Sequence, residues 1–343
     1  MISYDEKKNI LPYWLNDNQS INELNHEVKV GKHYKMSFND KIGHGGFGQI
    51  YLGHDLLNGA PLAVKVEAID THSSKLKSEA KILNLLQGGT GIPALYAYIE
   101  EKKCKLILME LLGKNINTLF KICKKVFSLK TVLTLSYQMI NRIEYIHSKY
   151  IIHRDIKPEN FLLGKAKQKT IYLIDYGCSK LYMNAKKHEH IPFKEGIQNI
   201  IGTERYCSIY THLGKEQSRR DDIESFVYVM IYLLKGKLPW MGIRAKTKRE
   251  KVDKIKEKKL TVTCKELCDD YEEVWELLNY AREMRYEEEP DYKMIKNTIL
   301  EMLDQRDIKV DNVFEWEGLD LEKEEEKMNK EESKKNKVTL EKV

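Results

Sequence analysis

The residues with the clearest chemical potential in this 343-residue chain run His153-Arg154-Asp155-Ile156-Lys157-Pro158-Glu159-Asn160. Asp155 and Asn160 stand five apart on a proline-containing loop that follows an apolar helical pattern. Moving a phosphoryl group onto a hydroxyl requires a carboxylate to accept or orient the hydroxyl proton. It also requires oxygen ligands for Mg2+ and a cation near the γ-phosphate. Asp155, Asn160 and Lys157 suit those three tasks in that order. A loop braced only by side-chain caps would not need His, Arg, Asp, Lys and Asn together. Downstream lies Ile171-Tyr172-Leu173-Ile174-Asp175-Tyr176-Gly177. An acid at a strand end before a glycine is by itself commonly a turn residue. Following Asn160, Asp175 reads as a second metal ligand.

Upstream, Ile42-Gly43-His44-Gly45-Gly46-Phe47-Gly48-Gln49-Ile50 contains Gly-x-Gly-x-x-Gly. Glycines let a backbone close over phosphates and aim N–H groups at them, although many glycine turns bind nothing. A dinucleotide fold would start a helix right after Gly48. Ile50-Tyr51-Leu52 reads instead as a second strand, which makes the segment a hairpin flap. Ala63-Val64-Lys65 lies on the next strand. A strand lysine is ordinarily an outward charge. Lys65 could instead reach the α- and β-phosphates, with Glu79 in the following helix as its anion.

These residues need elements to hold them. Phe38–Lys65 alternates and is glycine-rich, which predicts strands around a turn. Leu76, Ile82, Leu83 and Leu86 give Lys75–Leu86 a helical spacing, and Gln87–Pro93 stops it. Leu95–Ile99 and Lys105–Glu110 read as strands. After Gly113 the pattern turns helical. Ser128 is the expected N-cap of a helix with Val132, Leu133, Ser136, Ile140, Ile143 and His147 on one face. Asp222–Leu234 is apolar nearly all round, as suits a buried helix. Met1–Lys32 is polar and predicts a poorly ordered extension with at most one short helix. Leu319–Val343 holds eight acids and seven lysines without glycine or proline, a solvated helix or a disordered tail.

Composition narrows the class. With 42% hydrophobic and 32% charged residues, the chain can build a core under a charged surface. That excludes a mainly disordered or collagen-like body. No run of about 20 apolar residues exists, so no membrane span is expected. Met1–Ile10 predicts no secretory signal, and position 2 and the C-terminus predict no common lipid anchor. The six cysteines form no Cys-x-x-Cys pair, so free thiols are expected rather than zinc. The net charge is +6. Nine basic residues against three acids between Arg244 and Lys259 account for an equal excess. That run is either a solvated face or a site for anionic partners.

Taken together the chain resembles eukaryotic protein kinases, and more closely the casein kinase 1 family, over about Val30–Leu319. The marks of that family include Gln87–Pro93, Met109-Glu110-Leu111-Leu112-Gly113 and Asn160-Phe161-Leu162-Leu163-Gly164. Further marks are His190-Ile191-Pro192-Phe193, Gly202-Thr203-Glu204-Arg205-Tyr206, Thr211–Asp222, Lys237-Leu238-Pro239-Trp240 and Pro290-Asp291-Tyr292. Ser208-Ile209-Tyr210 replaces the Ala-Pro-Glu of most protein kinases, and Tyr176 replaces the commoner Phe.

The resemblance implies an α+β, two-lobed protein kinase fold. A small β-rich N-lobe would span about 33–112 and a larger α-helical C-lobe about 113–317. An extension over 1–32 and a charged tail over 318–343 would flank them. Catalytic roles fall to Asp155, Lys157 and Lys65. ATP would meet Ile42, Gly43, Gly45, Gly48, Ile50, Ala63, Lys65, Glu79, Met109, Glu110 and Leu112, with Met109 as gatekeeper. Mg2+ would be held by Asn160 and Asp175. Asp222 would tie its helix to the catalytic loop. The implied partners are proteins with Ser or Thr near acidic or phosphorylated residues, docked on Arg205, Gly242 and Lys251. Arg154 and Lys180 match members of a second anion site, whose third position is Gln198. The rival reading is a catalytically weak, pseudokinase-like scaffold. Nucleic acid is not expected, because the Arg244–Lys259 run carries no interleaved aromatics. A cytoplasmic monomer is expected, and Lys246–Lys251 leaves nuclear import open.

Overall fold

The computed structural model describes residues 28–45, 48–68, 75–101, 104–165, 169–184, 186–311 and 313–340, with the side chains of 45 and 332–340 left aside. The short helix allowed for in the N-terminal extension, the Gly46-Phe47 hairpin tip and the end of the tail beyond 340 lie outside these residues. Two compact units emerge. One takes the described residues up to Leu112 together with Asp175–Gly177. The other takes Gly113–Ile174 and the described residues from Cys178 onward.

The first unit is a sheet with one helix. Its strands are β1 (Val28–Val30), β2 (Tyr34–Gly45), β3 (Gly48–Asp55), β4 (Pro61–Ala68), β5 (Leu95–Glu100) and β6 (Cys104–Glu110). They pair antiparallel in the order β1-β2-β3-β4-β6-β5. Strand side chains alternate between faces. Leu62, Val64 and Val66 of β4 therefore join Val30, Met36, Tyr51, Cys104, Leu106 and Leu108 in one apolar core. Ala63 and Lys65 fall on the opposite face. Helix α1 (Lys75–Leu85) buries Leu76, Glu79, Ala80 and Leu83, which share one side at helical spacing.

Among the described residues the sheet already includes Val28–Val30, inside the 1–32 segment that the sequence reads as an extension. Val28–Val30 pairs with Tyr34–Met36 through a turn in which Gly31 takes φ +59°. Val30 is buried, and a three-residue edge strand is too short to show an alternating pattern. Gly48 has a packing reason of its own. A Cβ there would lie 2.4 Å from the Val66 carbonyl oxygen, so β3 and β4 need a glycine at that crossing whatever the hairpin binds.

The second unit is helical. Helix α2 (Ile116–Ile122) starts at Asn115, whose side chain accepts from Thr118 N–H. Helix α3 (Leu129–Ser148) starts at Ser128, whose hydroxyl accepts from Thr131 N–H, and all six residues expected on its inner face are buried. Short strands β7 (Ile151–Ile152), β8 (Phe161–Leu163), β9 (Ile171–Leu173), β10 (Lys180–Leu181), β11 (Met183–Asn184) and β12 (Glu189–His190) pair as β7–β10, β8–β9 and β11–β12. Helices α4 (Ile209–His212), α5 (Arg219–Lys235), α6 (Lys248–Thr261), α7 (Cys264–Leu267), α8 (Glu272–Glu283), α9 (Tyr292–Asp304) and α10 (Leu321–Leu340) follow. Helix α5 is buried from Arg220 to Leu233 and packs against α3 and α8, while α9 packs on α3. Gly236 ends α5 with φ +75°, the left-handed cap that glycine adopts without penalty.

The charged tail takes the helical alternative as α10, which packs on α2. Its ties are ionic: Glu322 and Glu325 both pair with Lys114. Just before it, Phe314 and Trp316 stack at 4.7 Å between centroids, and Trp316 packs on Phe127 at 5.2 Å. Both are buried. The apolar anchor therefore ends before the charged helix begins. Urea unfolding should show Trp316→Ala losing about 3–5 kcal/mol. Truncation after Gly318 should lose no more than about 1 kcal/mol, because partly exposed ion pairs contribute little. A larger loss on truncation would show that α10 is part of the core.

Candidate active site

In the helical unit, β7 leads directly into the loop from His153 to Asn160, and one buried carboxylate holds its entry. Asp222, in the first turn of α5, accepts from His153 N–H at 2.7 Å and Arg154 N–H at 2.8 Å. His147 of α3 completes the arrangement, with Nε2 2.9 Å from Asp222 and Nδ1 2.7 Å from the Tyr292 hydroxyl. Burial by itself would keep Asp222 protonated. The bond to His147 and the nearby donors outweigh it and lower the carboxyl pKa below its ordinary value. For His147 burial itself is the leading cause, and it lowers the pKa. The network assigns a neutral imidazole whose Nε2–H donates to Asp222 and whose Nδ1 accepts from Tyr292. The expected tie from Asp222 to the loop is thus present, and His147 and Tyr292 explain why it stays in place.

Arg154 takes φ +66°. A non-glycine residue in this region costs about 1–3 kcal/mol and persists only where its surroundings over-determine it. Here its N–H is bound to Asp222, and its Nε donates to the Cys178 carbonyl at 2.7 Å.

Asp155 sits inside a small polar triangle. Its Oδ2 accepts from Lys157 Nζ at 2.6 Å, and its Oδ1 accepts from the Thr203 hydroxyl at 2.7 Å. Lys157 Nζ also reaches Thr203 Oγ1 at 3.3 Å. Asn160 spends its amide N–H on the Asp155 carbonyl at 2.8 Å, which leaves its amide oxygen available to a cation. Gly202, at φ +99°, packs directly on this loop. A Cβ there would lie 2.3 Å from the Arg154 carbonyl oxygen and 3.5 Å from Asp155 Oδ1.

In the sheet unit, Lys65 Nζ donates to both carboxylate oxygens of Glu79 and to Asp175 Oδ1, each at 2.7 Å. Lys65 is only 2% exposed. Burial alone would strip its proton, but the two carboxylates override this and hold its pKa above the ordinary value. Glu79 is pushed up by burial, against Lys65, with Asp175 adding to the rise. Two carboxylates on one ammonium leave a surplus negative charge. That surplus, with Asp175 among its oxygens, fits a hard divalent cation such as Mg2+. Asp175 takes φ +66°, a second strained residue at a position singled out from sequence.

The register places other expected nucleotide residues beside Lys65. Ile50 pairs with Lys65 and with Gly43, and Ala63 pairs with Met109, all on the face opposite the apolar core. Ile42 is exposed and Leu112 half-buried. Gly45 pairs with Gly48 at the described end of the hairpin. The Glu110 carboxylate accepts from Ala94 N–H at 3.2 Å, so its side chain is used within the sheet unit.

The segment from Gly202 to Ser208 is bound to α6 and its surroundings. Lys259 is fully buried, and its Nζ donates to the carbonyls of Cys207 at 2.5 Å and Glu204 at 3.1 Å. The rings of Tyr228 and Trp240 lie 4.9 and 5.0 Å from it. Trp240 Nε1 donates to the Arg205 carbonyl at 2.7 Å, which brings the chain near Gly242 alongside Arg205. Lys251 is 3.2 Å from the Glu204 carboxylate. Of the second anion group, Lys180 pairs with Glu216 at 3.2 Å.

Three residues escaped the sequence reading: Thr203 as a partner of Asp155, Glu204 as a partner of Lys251, and Lys259. Thr203 lies within the Gly202–Tyr206 motif, but nothing in spacing ties it to Asp155. Lys259 was counted with the basic run. A single buried lysine at the end of a charged helix has no pattern to betray it.

Gly202→Ala should leave a folded protein whose catalytic loop is displaced. Turnover should fall at least about 10²-fold, the scale of a roughly 1 Å misplacement of reacting groups. Steady-state kinetics beside thermal unfolding would check this. Unchanged turnover would show that the close approach of Gly202 does not set the position of Asp155.

A lysine–glutamate–aspartate cluster on a curled antiparallel sheet and a buttressed Asp155 loop in a helical unit are the parts that phosphoryl transfer requires. The family model for the protein kinase domain matches residues 36–306, and this chain belongs to that family.

Proposed function

We propose that this kinase is a serine/threonine protein kinase of the casein kinase 1 type, using ATP and Mg2+. The observation that carries the reading is the Asp155 carboxylate, held between Lys157 Nζ and the Thr203 hydroxyl on a loop tied down by Asp222. A carboxylate fixed by two donors, yet placed on a loop, is suited to receive a proton from an incoming hydroxyl. As the hydroxyl oxygen bonds to the γ-phosphorus, the bond from phosphorus to the ADP oxygen breaks, and the hydroxyl proton passes to Asp155. Lys157, two residues on, supplies positive charge to offset the negative charge on the oxygens of the transferring group. Lys65 would hold the α- and β-phosphates, with Glu79 setting its position. Asn160 and Asp175 would ligate Mg2+, which supplies counter-charge to the β- and γ-phosphates.

Substrate choice is read from Arg205, Lys251 and Gly242. Arg205 belongs to the Gly202–Tyr206 segment, Lys251 pairs with its Glu204, and Gly242 follows Trp240, which donates to the Arg205 carbonyl. The same segment supplies Thr203 to Asp155. Such an arrangement favours a Ser or Thr near an acidic or phosphorylated residue. A catalytically weak scaffold is the rival reading, and the same assay decides between them.

The test is phosphorylation of a degenerate peptide library with labelled ATP. Label is expected on Ser and Thr near acidic or phosphorylated residues. Asp155→Asn should lower turnover by about 10²–10⁴ while the ATP KM stays near wild type. Label confined to Tyr would overturn the specificity. No transfer by the wild-type protein would favour the scaffold.

A further inference from the structure

The anion-docking group carries its own anion. Glu204 lies between Thr203 and Arg205 in sequence, and its carboxylate is 3.2 Å from Lys251 Nζ. Burial opposes ionisation of Glu204. A backbone N–H, Lys251 and Lys248 outweigh that and lower its pKa, so the group is charged at neutral pH. Its backbone is also fixed, because its carbonyl accepts from Lys259 at 3.1 Å and from His212 Nε2 at 3.2 Å. The carboxylate is therefore delivered to Lys251 from a rigid support. Arg205, by contrast, makes no ion pair among the described residues, and its guanidinium lies 5.8 Å from the Tyr206 ring centre. Lys248 also acts on Glu204, and Glu159 acts on Arg205, so three cations face two carboxylates and one net positive charge remains for a substrate.

We propose that Glu204 acts as a resident competitor for Lys251, so that this kinase discriminates phosphorylated from merely acidic residues at the docking position. This rests on the docking reading given above. A substrate carboxylate that displaces Glu204 exchanges one carboxylate–lysine pair for another. It also loses the advantage of the tethered partner, whose effective concentration is high. A phosphate carries about −1.5 to −2 charges and three acceptor oxygens. It can engage Arg205 and still outcompete a single carboxylate at Lys251. Glu204 is thus a specificity-determining residue that acts through Lys251 rather than on the reacting bond.

The experiment compares kcat/KM for three peptides that differ only at the docking position: phosphoserine, Asp and Asn. In the wild-type protein the Asp-to-Asn ratio should stay within about twofold, while the phosphoserine peptide is clearly preferred. Glu204→Gln keeps the size and removes the charge. It should raise the Asp-to-Asn ratio about fivefold, mainly through KM, the scale of one exposed ion pair. Glu204→Asp, which restores the charge, should return the ratio toward wild type. A loss of folding would lower all three peptides together and could not produce this pattern. If Glu204→Gln leaves the Asp-to-Asn ratio unchanged while Arg205→Glu with Lys251→Glu abolishes the phosphoserine preference, the docking site stands and the competitor role is wrong. If the double reversal also changes nothing, the docking reading itself is wrong, and this proposal falls with it.

Discussion

Most of the chemistry proposed for this chain depends on one buried negative charge. Asp222 accepts from two consecutive backbone N–H groups and from His147, and so fixes the point where β7 becomes the catalytic loop. Hydrogen bonds to an ionised partner are worth about 1.5–3 kcal/mol each, against roughly 1–3 kcal/mol for the left-handed backbone at Arg154. The carboxylate can therefore hold a conformation that the chain would not adopt unaided. Its own position is fixed by burial of α5 from Arg220 to Leu233 and by Tyr292 acting through His147. Core packing and catalytic geometry are in this respect one problem. Asp155 stands one residue beyond the strained Arg154 and inherits its direction from it.

A second layer of support comes from the 202–208 segment. Gly202 permits contact with the Arg154 carbonyl, and Thr203 reaches Asp155. Lys259, buried under Glu204 and Cys207, holds the next stretch to α6 through two carbonyls and two ring faces. Among the described residues Lys259 makes no ion pair, although the charges of Glu224 and Glu204 act on it, and a buried ammonium so placed is costly unless such dipoles and rings surround it. The basic run that looked like a uniform surface feature therefore has two parts. Its outer lysines are partly exposed, several in ion pairs, and its last member is a structural pin. In the proposed reading the Glu204–Lys251 pair joins the same region to substrate choice.

Much of this was legible in the residues themselves. Local signals, where spacing is short and chemistry is distinctive, read correctly. Ser128 caps α3, Lys65 lies on a strand, and α5 is buried as its apolar pattern requires. The pairing of Lys65 with Glu79 was also readable, because a buried lysine must find an acid and the next helix offered one. What escaped depends on contacts between residues far apart in sequence. Thr203 meets Asp155 across 48 positions, Lys251 meets Glu204 across 47, and Lys259 meets Cys207 across 52. No periodicity encodes such pairs. The early start of the sheet at Val28 was hidden for another reason: three residues are too few to show alternation. Gly48, read as part of a phosphate flap, has a steric reason to be glycine that only the crossing with Val66 reveals.

The claim that Asp222 sets the catalytic loop is tested most directly by native-state hydrogen exchange at the His153 and Arg154 amides, in wild type and in Asp222→Asn. In the wild type both amides should exchange only through the largest opening of the helical unit, as those of the buried Ile151 and Ile152 should. In Asp222→Asn they should exchange by a local opening that leaves the α3 and α5 amides protected, and turnover should fall while the fold persists. If both amides in the variant stay as protected as those of α5 and turnover holds, the loop is fixed by something other than this carboxylate.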